Sequence, residues 1–101
     1  MGKQRVKMTK TIKELKERYQ LRYAAGRFYL LDMLQTGKMY KRPMEMNEIG
    51  AEIWQMLMEG YTTVQVVQRL SGEYDADESD IRQDVLAFKK GLLTYGVEIG
   101  E

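Results

Sequence analysis

At Met46-Asn47 the apolar pattern of this chain changes period, and that change limits its possible folds more than any other feature. Before it, apolar residues follow a strand's rhythm. Tyr19-Gln-Leu-Arg-Tyr alternates large apolar and polar side chains, the period of a half-buried strand. Ala25-Gly26 breaks the run, and Gly26 can supply the positive φ of a hairpin turn. Arg27 to Met33 is apolar on both faces, with Phe28 and Leu30 on one and Tyr29 and Leu31 on the other, as in a central strand. Gln35-Thr36-Gly37-Lys38 reads as a second turn, and Met39 to Met46 as a third strand with Tyr40, Met44 and Met46 on one face. Pro43 lies within that strand. Proline donates nothing to a ladder, so the third strand is expected at an edge of the sheet.

After Asn47 the period becomes helical. Asn47 is a good N-cap, Ile49, Ile53 and Leu57 form a stripe flanked by Trp54 and Met56, and Gly60 can stop the helix. Thr62-x-x-Gln65 is a capping box for a second helix through Val66, Val67 and Leu70, with Ser71-Gly72 expected to end it. Asp75-x-x-Glu78 is expected to cap a third helix, whose stripe is Ile81, Val85, Phe88 and Leu92 and whose terminator is Gly96. Gly91 inside it costs about 1 kcal/mol relative to alanine. Strands followed by helices predict an α+β domain: a three-stranded antiparallel sheet, order 1-2-3, followed by three helices.

With 101 residues the chain can bury one core. It has no cysteine and no histidine, which removes disulfides, thiolate nucleophiles, imidazole bases and the usual zinc ligands. No carboxylate cluster has calcium-loop spacing, and no phosphate-binding glycine loop is present. The expectation is a protein with no catalytic residue, no metal and no cofactor. The apolar runs are too short to span a bilayer, and no apolar run follows the basic N-terminus, so a cytoplasmic, membrane-free protein is expected.

Near-neutral overall charge hides an asymmetry. Residues 1–18 carry seven basic and two acidic side chains, whereas the body from Tyr19 carries nine basic and thirteen acidic ones. Residues 1–18 read as a basic tail or short surface helix, for Thr11-x-x-Glu14 is a capping box and Ile12, Leu15 and Tyr19 fall near helical spacing. Residues 19–101 read as the domain proper.

The order of landmarks resembles one family. Leu31-Asp32 precedes a turn, and Met46-Asn47 precedes the helix of Ile53-Trp54. Then come Glu59-Gly60, the helix start Thr62-Thr63-Val64, Tyr74-Asp75, and Asp80-Ile81-x-x-Asp84-Val85-x-x-Phe88. From about Tyr19 to Val97 this is similar to the PqqD-like proteins, the precursor-peptide recognition elements of ribosomal peptide-modification pathways. Without a Tyr-Pro-Glu-Gly segment or a tryptophan near the C-terminus, the chain resembles a general member of the family. The resemblance implies a winged helix-turn-helix-like fold and a peptide chaperone that catalyses nothing. It implies that the leader segment of a precursor peptide adds as a strand to Met39–Glu45 and lies against the last helix, at Ile81, Asp84, Val85 and Phe88. Met39, Met44 and Met46 would suit an adaptable apolar groove and Tyr40 would be a further contact on the strand, with Lys38, Lys41 and Arg42 available to acidic leader residues. The implied partner is a peptide-modifying enzyme of radical-SAM, peptidase or cyclase type.

Packing alone also explains the stripe of Ile81, Val85, Phe88 and Leu92, the methionines at 39, 44 and 46, and Trp54, since such residues are mostly core. The alternative function is a winged-helix DNA-binding regulator, because the fold is shared. Two features weigh against it: Ser71 to Asp80 reads as too long for a helix-turn-helix turn, and Glu78, Asp80 and Asp84 would repel phosphates.

Overall fold

A computed structural model describes residues 11–34, 42–97 and 99. The elements run α1 (Ile12–Arg18), β1 (Tyr19–Ala24), β2 (Arg27–Asp32), β3 (Met44–Met46), α2 (Glu48–Met58), α3 (Thr63–Tyr74) and α4 (Glu78–Tyr95). The fold is α+β, with one antiparallel sheet in the order β1-β2-β3 and β3 at an edge.

The β1–β2 hairpin turns through Ala25 (φ 54°) and Gly26 (φ 78°). Two successive left-handed residues match the twist of the flanking strands, which explains the two-residue connection. Register then sorts the side chains. Tyr19 opposes Asp32, Leu21 opposes Leu30, Tyr23 opposes Phe28, and on the far side of β2 Leu30 and Phe28 oppose Met44 and Met46. These residues share the face turned to the helices, where Tyr19, Leu30 and Met46 are buried. The other face carries Arg27, Tyr29 and Glu45, with Arg27 ion-paired to Glu45. Tyr29 and Leu31 are half-buried, so β2 has partial cover on its second face.

Both capping boxes form: Thr11 with Glu14 opens α1 and Thr62 with Gln65 opens α3. Asn47 caps α2 by accepting from the Gly50 N–H at 2.7 Å. Trp54 anchors the core, packing edge-on to Tyr19 at 6.3 Å. Short as it is, α1 belongs to the packed body, because Leu15 is buried in the common core.

Three expectations are corrected. The third strand does not fill Met39–Met46 over its described part. Arg42 and Pro43 are outside the ladder, which begins at Met44, directly after the residue that has no N–H to give; positions 39–41 lie outside the described residues. Helix α3 does not stop at Ser71-Gly72. Ser71 is buried, the helix runs on to Tyr74, and Asp75 in the left-handed region (φ 51°) ends it by donating its N–H to the Ser71 carbonyl. The cap of α4 is accordingly Asp77, which accepts from Ser79, and not Asp75. As a result the α3–α4 connection is only Asp75-Ala76-Asp77, so its length does not exclude a helix-turn-helix. The acidic first turn of α4, with Glu78 and Asp80, still does not suit a phosphate backbone.

Candidate functional site

One edge of the sheet meets the last helix. From Asp84, positions 88, 91 and 95 follow at helical spacing, so Asp84, Phe88, Gly91 and Tyr95 lie along one flank of α4. This flank touches the sheet at several points. Tyr95 donates its hydroxyl to the Leu30 carbonyl at 3.3 Å. A Cβ placed on Gly91 would stand 3.5 Å from the terminal methyl of Met44, so the edge strand's methionine reaches the helix at Gly91 with room left for a methyl group. A Cβ on Gly50 would stand 3.2 Å from the Phe88 ring and 3.2 Å from the Met46 Cβ, so glycine in the first turn of α2 makes room for that ring. Met44 and Phe88 are half-buried and Asp84 is exposed. The result is a shallow apolar seam between β3 and α4, with a carboxylate on its helix side.

Beyond Met46 the seam opens into a depression of about 1040 Å³ near the hairpin tip, lined by Tyr23, Arg27, Phe28, Glu45, Met46 and Glu48 among others. Tyr23 is largely exposed and rests on Phe28 with ring centroids 4.8 Å apart.

The end of β2 is held by charge. Arg18 donates Nε and Nη2 hydrogen bonds to the two Asp32 oxygens, each at 2.9 Å. Asp32 also accepts from the Leu34 N–H at 3.0 Å, and Met33 N–H donates to the Arg18 carbonyl at 2.7 Å. The hydrogen bond to Asp32, chiefly, raises the Arg18 guanidinium above its ordinary value. Two further groups are shifted. Burial, above all, pushes the Tyr19 phenol up, and the hydrogen bond to Glu52 at 3.0 Å does the same for Tyr74.

The expected site residues divide. Met44 sits in β3 at the seam, Asp84 and Phe88 lie on the facing flank of α4, and Arg42 is exposed just before the strand. Ile81 and Val85 are buried in the common core and hold α4 in place. Lys38, Met39, Tyr40 and Lys41 lie outside the described residues. Missed by the sequence reading were Gly50, Gly91 as a contact and Tyr95. For the two glycines the signal was a poor helix former inside a helix, which at Gly50 marks the close approach of the Phe88 ring; Tyr95 carried no such signal. Among the described residues no cluster of three carboxylates could hold a metal ion, and no helix is long and apolar enough to cross a membrane.

Comparison with known proteins places the chain. Residues 29–97 match the family model of Coenzyme PQQ synthesis protein D (PqqD). No curated protein matches. A solved structure, TbiB1 in complex with the TbiA(beta) leader peptide, is similar with a TM-score of 0.67 and 22% identity over 85% of this chain and 94% of that one. At that identity the likeness is one of fold.

Proposed function

The chain belongs to the PqqD family, and from that membership and the open edge of β3 we propose that it is a leader-peptide-binding module. It captures a ribosomally made precursor peptide by strand addition and presents it to a peptide-modifying enzyme. The observation that carries the reading is the juxtaposition of an edge strand with an apolar seam: the outer backbone groups of β3, which pair with no other strand among the described residues, supply affinity, and the seam supplies register and selectivity. The structural relative holding a leader peptide supports it.

The peptide runs antiparallel to β3. Its N-terminal part then lies toward Met46 and the depression at the hairpin tip, and its C-terminal part toward Pro43 and Arg42. Apolar leader side chains enter between Met44 and Phe88. Asp84 favours a cationic or hydrogen-bond-donating leader residue on the helix side, and Lys38, Lys41 and Arg42 favour acidic ones beyond the strand's start. In this reading Met39 and Tyr40 also contact the leader. The protein performs no chemistry itself and needs no cofactor, in keeping with a chain lacking histidine and cysteine. It works in the cytoplasm, where precursor peptides are made, beside an enzyme of radical-SAM, peptidase or cyclase type. Sequence-specific DNA binding is not part of this reading.

The test is a titration of isotope-labelled protein with the leader segment of its precursor, followed by amide shifts. Shifts should cluster on Met44–Met46 and on Asp84, Phe88 and Gly91. Shifts confined to α1 and the basic N-terminus, with β3 silent, would place the peptide elsewhere.

A further inference from the structure

The flank of α4 turned away from the seam has a different chemistry. Arg82, Leu86, Lys89 and Leu93 follow one another at helical spacing, with Lys90 beside them. Leu86 and Leu93 are 52% and 58% exposed, unusual for leucines seven residues apart on one face. Lys89 donates to the Thr63 hydroxyl at 2.8 Å, which brings the start of α3 alongside, and Val64 there is 62% exposed. At the end of the stripe lies a cavity of about 310 Å³ between Leu93, Val97 and Ile99, rimmed by Lys89 and Lys90. Among the described residues Arg82 and Lys90 have no ion-pair partner, and the acidic residues of α4, Glu78, Asp80 and Asp84, lie toward its N-terminus.

We infer that this flank is a protein-docking surface for a partner that presents an apolar side chain flanked by carboxylates. The cavity accepts the apolar group, and Lys90 at its rim and Arg82 along the stripe receive the carboxylates. A second copy of the chain does not fit, because self-pairing of this stripe would bring together Arg82 and Lys90 from both copies, with no acid among the stripe's described residues to offset them. Nucleic acid does not fit either, because a phosphate backbone would leave two exposed leucines and an apolar cavity without partners. Assigning the partner as the modifying enzyme rests on the function proposed above. The surface itself does not, since it shares no residue with the seam. A leader peptide on one flank of α4 and an enzyme on the other could then be held at once.

The experiment uses the full labelled chain and two stapled helical peptides, each with a leucine stripe, one flanked by glutamates and one by lysines. The glutamate peptide should shift amides at Arg82, Leu86, Lys90 and Leu93 and leave Met44–Met46 unmoved. Leu86→Ser and the double reversal Arg82→Glu/Lys90→Glu should each weaken it ~tenfold, with circular dichroism unchanged. The inference is overturned if the glutamate peptide does not bind this flank, if the lysine peptide binds as well, if a duplex oligonucleotide binds there more tightly, or if these amides shift with protein concentration alone. Repeating the titration with leader peptide present separates the two readings. A silent β3 would sink the leader-binding function and leave the docking surface standing.

Discussion

Removing the charge from Arg18 tests the most buried electrostatic element of the fold. The Asp32 side chain is 1% exposed and that of Arg18 is 29% exposed. Arg18→Met keeps the aliphatic stem and deletes both 2.9 Å hydrogen bonds, while the Leu34 N–H still donates to Asp32. Breaking a fully buried pair costs about 3–5 kcal/mol. Water reaches the outer side of this guanidinium, so the expected loss is about 2–3 kcal/mol, or ~10–20 °C in Tm for a domain of this size. Asp32→Asn retains an oxygen for Leu34 N–H but turns an amide against the guanidinium, and should lose a similar amount. The double variant should lose less than the sum, with a coupling of about 1.5 kcal/mol, read from urea midpoints of the four proteins. That coupling should persist in 0.5 M salt, because a buried pair is poorly screened. A coupling below about 0.5 kcal/mol, or one abolished by salt, would reduce the pair to an ordinary surface contact and refute its role as the clasp between α1 and β2.

Three other outcomes follow from the structure. Gly91→Ala should stabilise the domain by up to about 1 kcal/mol, since its Cβ meets Met44 at ordinary contact distance, whereas Gly91→Phe should displace Met44 and abolish leader binding while the protein stays folded; calorimetry and peptide titration check both. Phe88→Ala should cost about 2 kcal/mol, less than the ~3–5 of a fully buried ring because Phe88 is half-buried, and should also weaken peptide binding, while Asp84→Ala should weaken binding with an unchanged urea midpoint. Stability should fall as pH rises above about 10: Tyr19 and Tyr74 have raised phenol pKa values in the folded state, so the unfolded chain loses those protons first, and the stabilisation present below pH ~10 disappears as the folded groups titrate. Tyr19→Phe should flatten that alkaline decline, and an unchanged slope would remove Tyr19 as its source.

What could be read from the sequence followed what repeats. The alternation through Tyr19–Tyr23 and the stripe of Ile81, Val85 and Leu92 carry their period openly, and both capping boxes are local chemistry within four residues. Helix ends decided by burial were harder. Gly72 reads as a stop, yet Ser71 packs inside and the helix continues until Asp75 takes the left-handed conformation. The seam was half legible. A periodic stripe shows which residues share a face but not which of them meet the core: Ile81 and Val85 are buried, and the flank of Phe88 and Gly91 is displaced from them by about a fifth of a turn. The Arg18–Asp32 pair spans fourteen positions, and no local pattern announces a partner at that distance.

The brevity of β3 sets the tempo of the whole device. Over the described residues, a ladder of three positions behind a proline offers a guest strand only a few backbone hydrogen bonds, each worth about 1 kcal/mol net. Grip must therefore come from one or two side chains in the seam, and such a complex lets go quickly once those anchors slip. A carrier that has to surrender its cargo to another protein gains from this: hand-over needs no unfolding and no large hinge, only competition for a few side chains.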